Sequence, residues 1–300
     1  MPVINSDAPE LQDISGWING EVDSLDEGTF LLDFWTYSCV NCVRMLPLMQ
    51  KVDDSYPEVT VVGVHTPEFD FERERENVEQ AVERYGLEYP VALDSENSTW
   101  QAYGNRYWPR QALVHDGKIV WQHVGESSLY ELEDKFAEVL DIEVRGVDLG
   151  HETRSGISPE TYLGFKRCRG VNDSGIFRGE KELEVPRFRA PEKVYLDGKW
   201  VMESEYLESS GDSRLFYNFD ASEVNAVIHP AGSVKDIEVK MDGSYVDEKD
   251  AGSDLRFDSG KSFVRVKNPD MYNLVDTDRR KAEIVLEPEN KTRFYTLTFG

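Results

Sequence analysis

Residues 29–42 read Thr29-Phe30-Leu31-Leu32-Asp33-Phe34-Trp35-Thr36-Tyr37-Ser38-Cys39-Val40-Asn41-Cys42. The stretch up to Trp35 is an almost unbroken apolar run interrupted by one aspartate, the pattern of a strand buried on both faces of a parallel sheet. From Val40 the pattern changes. Val40, Val43, Leu46, Met49 and Val52 recur at a spacing of three, which lays them along one helical face. Cys39 therefore falls at the start of a helix and Cys42 one turn in. Pro47 lies inside that helix, where it deletes a hydrogen bond and is expected to cause a kink.

Outward from this segment the elements alternate. Leu11 to Gly28 is a lead-in with Trp17 packing, Val59 to Val64 is a second apolar strand, Glu72 to Tyr85 an amphipathic helix ended by Gly86, and Tyr89 to Leu93 a third strand. Ser98 to Tyr103 is a short helix. Ala112 to His115, then Asp116-Gly117, then Lys118 to Val124 give a hairpin with its turn, and Leu129 to Leu140 a last helix. The order implies an α/β fold with a mixed sheet flanked by helices. From about Ile142 helical periodicity stops. Short β-rich runs take over (Trp200 to Tyr206, Arg214 to Phe219, Asn225 to His229, Asp236 to Lys240, Ser262 to Val266, Ala282 to Leu286, Arg293 to Phe299), with Asp197-Gly198 and Asp242-Gly243 read as turns. This is the grammar of an all-β antiparallel sandwich. The expected division is residues 1–145, a linker and lead-in at 146–182, and the sandwich at 183–300.

The cysteine pair carries the chemistry. A thiolate attacks a disulfide and a thiol does not, so such a site needs something that favours negative charge on sulfur. The unpaired N–H groups of a helix start supply it, and act most on the first residue of the pair. Cys39 is thus the expected nucleophile, with Cys42 close enough to close the ring as resolver. A zinc site would need a second ligand pair, but Cys168 stands alone and the five histidines show no ligand spacing. Neither a metal nor a cofactor beyond the redox pair is expected.

Asp and Glu outnumber Lys and Arg by 58 to 33, for a net charge of −25 spread along the chain. Such a coat repels phosphate backbones and anionic membrane surfaces, which argues against a nucleic-acid partner, and it suits a high-salt, halophilic setting. The N-terminal residues carry no basic and apolar leader and no later run reaches membrane-spanning length. A cytoplasmic location without membrane insertion follows, or an extracytoplasmic one if an upstream targeting part exists.

Asp33 to Cys42 resembles the active-site segment of thioredoxins. Together with Gly16-Trp17-Ile18-Asn19, Gly63-Val64-His65-Thr66-Pro67-Glu68-Phe69 and Tyr103-Gly104-Asn105-Arg106-Tyr107-Trp108-Pro109, it is similar to the TlpA-like thioredoxins and to the soluble part of DipZ-type proteins, over about residues 8–140. Ser158 to Phe165 resembles the segment that leads into the last domain of those proteins, a jelly-roll like that of carbohydrate-binding modules. The resemblance implies a thioredoxin fold and exchange with protein disulfides, fed by an electron donor it does not identify. It implies that Asp33 is a buried acid serving Cys42, that Pro109 is a cis proline beside the pair, and that Trp35, Tyr37, Ser38, Val40, Asn41 and Trp108 border the substrate groove. Val40 and Asn41 replace the Gly-Pro of ordinary thioredoxins, which bears on reduction potential. His65 and Glu68, just past a strand end, are further candidates. Two other readings stand beside this one. Thr36-Tyr37-Ser38-Cys39 matches the Thr-x-x-Cys of peroxiredoxins, although Leu32 stands where their proline is expected. The C-terminal half could instead bind a glycan or protein through Trp200, Tyr206, Phe216 or Tyr217.

Overall fold

The computed structural model of the protein describes residues 5–142, 156–173 and 175–300. The chain divides into a unit of residues 1–153 and one of 154–300. In the first, strands β1 (Ser6–Asp7), β2 (Trp17–Ile18), β3 (Thr29–Trp35), β4 (Thr60–His65), β5 (Val91–Leu93), β6 (Arg110–His115) and β7 (Lys118–Val124) lie in the order β1-β7-β6-β3-β4-β5-β2. β3 is central, parallel to β4 and antiparallel to β6, and every one of its residues is buried. Burial on both faces is the reason it needs no polar alternation. Leu32 and Phe34 pack with Val62, Val64, Trp100 and Tyr103 on one face, so the pleat turns Asp33 to the other.

Four helices accompany the sheet among the described residues: α1 (Val40–Ser55), α2 (Arg75–Tyr85), α3 (Ser98–Ala102) and α4 (Leu129–Leu140). α1 continues through Pro47 and buries Val40, Cys42, Met45, Leu46, Leu48, Met49 and Val52. α2 begins later than its periodicity predicts. Glu72 belongs instead to a separate 3-10 turn (Asp70–Arg73), for a reason that lies in its side chain. Asp116 and Gly117 have φ of 45° and 72°, the paired positive values of a two-residue hairpin turn. No helix among the described residues is long and apolar enough to cross a membrane.

The second unit is all-β. Its strands are β8 (Thr161–Tyr162), β9 (Gly179–Leu183), β10 (Val194–Met202), β11 (Leu207–His229), β12 (Lys235–Met241), β13 (Ser244–Tyr245), β14 (Leu255–Asp258), β15 (Lys261–Val266), β16 (Asp270–Pro288) and β17 (Arg293–Phe299). They pair antiparallel in the order β14-β15-β12-β16-β11-β10-β9, with β17 on β11 and β8 on β17. The runs Arg214 to Phe219 and Asn225 to His229 are one strand. Register shifts between Ala221 and Glu223 and between Val224 and Asn225 break the alternation without ending β11. Asp197-Gly198 is not a turn but part of β10, next to a bulge; Gly198 has φ 83°, and a Cβ there would stand 2.1 Å from the Asp212 carbonyl oxygen. Residues 143–155, which include part of the expected linker, lie outside the described residues. From 156 onward that stretch is built into the second unit: Leu163 and Val171 are in its core, and β8 pairs with β17.

Candidate active site

Cys39 ends the loop after β3 and caps α1. Its backbone is extended (φ −95°, ψ 111°), its carbonyl accepts the N–H of Val43 at 3.0 Å, and its sulfur accepts the N–H of Cys42 at 3.3 Å. A sulfur in the cap position meets donors that a helix start leaves unpaired. The two thiols are unbridged, and they differ in access: Cys39 is partly exposed and Cys42 buried. Burial pushes the Cys42 thiol well up, Cys39 and Asp33 add to the effect, and the Thr36 backbone N–H opposes it. One sulfur is thus open to a substrate, and the other is kept protonated until something takes its proton.

Asp33 sits on β3 opposite Gly63 of β4 and Gln111 of β6. Gln111 Nε2 donates to Oδ1 at 3.0 Å, and Oδ2 has no hydrogen-bond partner among the described residues. Burial pushes this carboxyl up to about 7, against the pull of the Gln111 hydrogen bond. A carboxyl that titrates near neutrality can both accept and return a proton. The sequence offers no signal for Gln111, because only the strand register brings it to Asp33. Gly63 leaves the room: a Cβ there would lie 3.0 Å from Trp35 Nε1 and 3.1 Å from the Tyr89 ring.

Pro109 follows a cis peptide bond from Trp108 and its carbonyl accepts the N–H of Gly125 at 2.8 Å. Trp108 is half-buried and stacks on Trp100, ring centroids 4.1 Å apart. Tyr107, two residues before Pro109, is 68% exposed, and Val124, the register partner of Arg110, is 55% exposed. Four of the expected groove residues, Trp35, Tyr37, Ser38 and Val40, are buried. Trp35, Tyr37 and Ser38 are each 0% exposed, so they do not line an open surface. Trp35 meets His65 edge-on at 5.4 Å and Tyr37 stacks on it at 5.5 Å, so these rings fill the floor beneath the loop. Val40 is buried as well, on α1, leaving Asn41 exposed and Trp108 half-buried.

His65 is buried at the end of β4, and burial pushes its imidazole down to about 3, which keeps it neutral near neutral pH. Its Nε2 lies 3.5 Å from Thr36 Oγ1. Glu68 is half-buried, and its contribution here is its backbone N–H, given to Glu72 at 2.6 Å. Glu72 is the residue that sequence reasoning missed. It is 1% exposed, Oε1 accepts the Thr36 hydroxyl at 2.5 Å, and Oε2 accepts the N–H groups of Glu68 and Phe69, the latter at 2.8 Å. Burial pushes it up to about 7 with the Glu68 charge adding to the rise, opposed by the Ser38 and Thr36 hydroxyls and the Phe69 N–H.

In the second unit the proposed stacking platform is core. Trp200, Tyr217 and Phe216 are buried, and Tyr206 is half-buried under the Arg293 guanidinium, 4.7 Å from its ring centroid. Cys168 is buried too. Its sulfur accepts the Gly170 N–H at 3.3 Å and burial pushes the thiol up, while Arg167 lies over the Tyr162 ring instead of activating it.

Comparison with known proteins divides the chain in the same place. A Redoxin family model matches residues 8–140, and a thioredoxin-like C-terminal domain model matches residues 158–300. Protein DipZ of Mycobacterium tuberculosis is 31% identical over 248 residues, which cover 76% of this chain and 36% of DipZ, so the chain spans about a third of that relative. The thiol-disulfide oxidoreductase ResA of Halalkalibacterium halodurans is 30% identical over 133 residues, 43% of this chain and 72% of ResA. A solved thioredoxin-like superfamily protein is 27% identical with a TM-score of 0.42, covering 46% of this chain and 98% of its own.

Proposed function

The chain belongs to the thioredoxin-like thiol-disulfide oxidoreductases, and from that premise we propose that it exchanges disulfides with protein substrates through Cys39 and Cys42. The observation that carries this reading is the asymmetry of the pair: an accessible sulfur capping a helix, and a buried one beside a carboxyl that titrates near neutrality. In the reducing direction Cys39 attacks one sulfur of the substrate disulfide, and the other sulfur leaves with the bonding electrons and picks up a proton. Cys42 then gives its proton to Asp33 and attacks Cys39, the remaining substrate sulfur departs, and the enzyme is left oxidised by two electrons. A dithiol donor restores it by the same steps in reverse. The segment around cis Pro109, with Asn41, Trp108, Tyr107 and Val124, forms the side to which an extended substrate segment docks.

The peroxidase reading finds no support at Thr36, whose hydroxyl donates to Glu72. The dispersed acidic coat is read as an adaptation to high salt. The test of the main reading is reduction of insulin disulfides by the full chain with dithiothreitol as donor. Activity should vanish in both Cys39→Ser and Cys42→Ser. Peroxide consumption that survives in Cys42→Ser would favour the peroxidase instead.

A further inference from the structure

A second buried carboxyl stands beside the cysteine loop, and the exchange steps above make no use of it. Glu72 occupies its own 3-10 turn, ahead of α2, with three donors converging on it. A carboxyl taken out of water is destabilising unless donors meet it, so this arrangement is held for its hydrogen bonds. Oε2 is fixed by two backbone N–H groups of the loop after β4. Oε1 reaches across to the loop between β3 and α1 and takes the Thr36 hydroxyl.

Thr36 bears on both cysteines through its backbone. Its carbonyl accepts the N–H of Cys39 at 3.3 Å, and the Cys39 sulfur in turn accepts the N–H of Cys42 at 3.3 Å; a Thr36 backbone hydrogen bond also works against the rise of the Cys42 thiol. Of the other groups around the Thr36 hydroxyl and Glu72, His65 is a neutral imidazole 3.5 Å from Thr36 Oγ1, Glu68 is a like charge to Glu72, and the Ser38 hydroxyl favours the charged form of Glu72 from the same loop as Thr36. The geometry points to Glu72 as a positioning residue for the resolving step. By holding the Thr36 side chain it keeps the Thr36 carbonyl on the Cys39 N–H and the Cys39 sulfur over the first turn of α1, so that Cys42 meets the mixed disulfide in position to close the ring. Glu72 itself makes and breaks no bond. The assignment rests on the reading of Cys39 and Cys42 as an exchanging dithiol.

The full-length reduced chain, mixed with a fluorophore-labelled peptide disulfide and quenched in acid, gives two rates by mass spectrometry: appearance of the mixed disulfide on Cys39 and its decay as Cys42 closes. Thr36→Val removes the hydroxyl at nearly constant shape. Glu72→Gln leaves the two N–H donors and the hydroxyl without a common charged acceptor. In both variants decay slows about tenfold, the scale of one charge-assisted hydrogen bond, while appearance stays within about twofold of wild type. Thr36→Ser, which keeps the hydroxyl, decays at the wild-type rate. A role in folding alone would lower the melting temperature without separating the two rates. Should Glu72→Gln not fold, the two Thr36 variants decide the matter. Wild-type decay in a folded Thr36→Val, or equal slowing of both steps, overturns the assignment while leaving the dithiol reading intact; a wild-type chain that forms no mixed disulfide overturns both.

Discussion

Asp33 keeps a carboxyl at a position where burial disfavours its charge, and the sign of that cost is measurable. Its folded value is about 7 against an ordinary 3.8, so between those values the folded chain holds a proton that the unfolded chain has released. Stability therefore falls as pH rises through that window, and Glu72, raised to about 7 from 4.5 by the same burial, adds to the fall. Asp33→Asn removes the first contribution. Its unfolding free energy from urea titration should exceed that of wild type at about pH 8, by roughly 1 kcal/mol or more, with a smaller difference at about pH 5. A difference that does not change with pH contradicts the raised carboxyl. The same substitution should slow decay of the mixed disulfide by about tenfold or more, since Cys42 then lacks its proton acceptor.

At the scale of elements, space is tightest at glycines. Gly63→Ala puts a methyl group against Trp35 and Tyr89 in the floor of the site, and should cost about 1–3 kcal/mol in a denaturant titration. Gly198→Ala is worse, because a positive φ and a backbone oxygen 2.1 Å from the added carbon leave nothing flexible to move, so a loss of at least about 2 kcal/mol is expected. These two positions also show what the sequence could and could not say. β3, α1, the hairpin at Asp116-Gly117 and α4 were legible because apolar run, helical spacing, turn chemistry and capping each act locally. Gly198 was misread as a turn because a bulge and a turn use the same dipeptide. Glu72 resembled the first residue of an amphipathic helix, since nothing local marks a side chain that folds back on the loop before it. Gln111 needed the register of β6 on β3, and the burial of Trp35 and Tyr37 needed His65 to be brought against their rings.

For the whole molecule, charge and chemistry can be tested separately. A net charge of −25 self-repels at low ionic strength, so the melting temperature should climb steadily from about 0.1 M to about 2 M potassium chloride, and a flat profile would count against the high-salt reading. The second unit has its own core, built around Trp200, Leu286 and Phe294, and Trp200, Phe216 and Tyr217 are buried, so they offer no open stacking platform. The exchange mechanism turns on which sulfur a substrate meets first. Incubating the full-length Cys42→Ser chain with an oxidised protein substrate and mapping the adduct by mass spectrometry answers this directly. The predicted result is a covalent adduct on Cys39, released by dithiothreitol; an adduct on Cys168, or none from a folded and reduced chain, would contradict it.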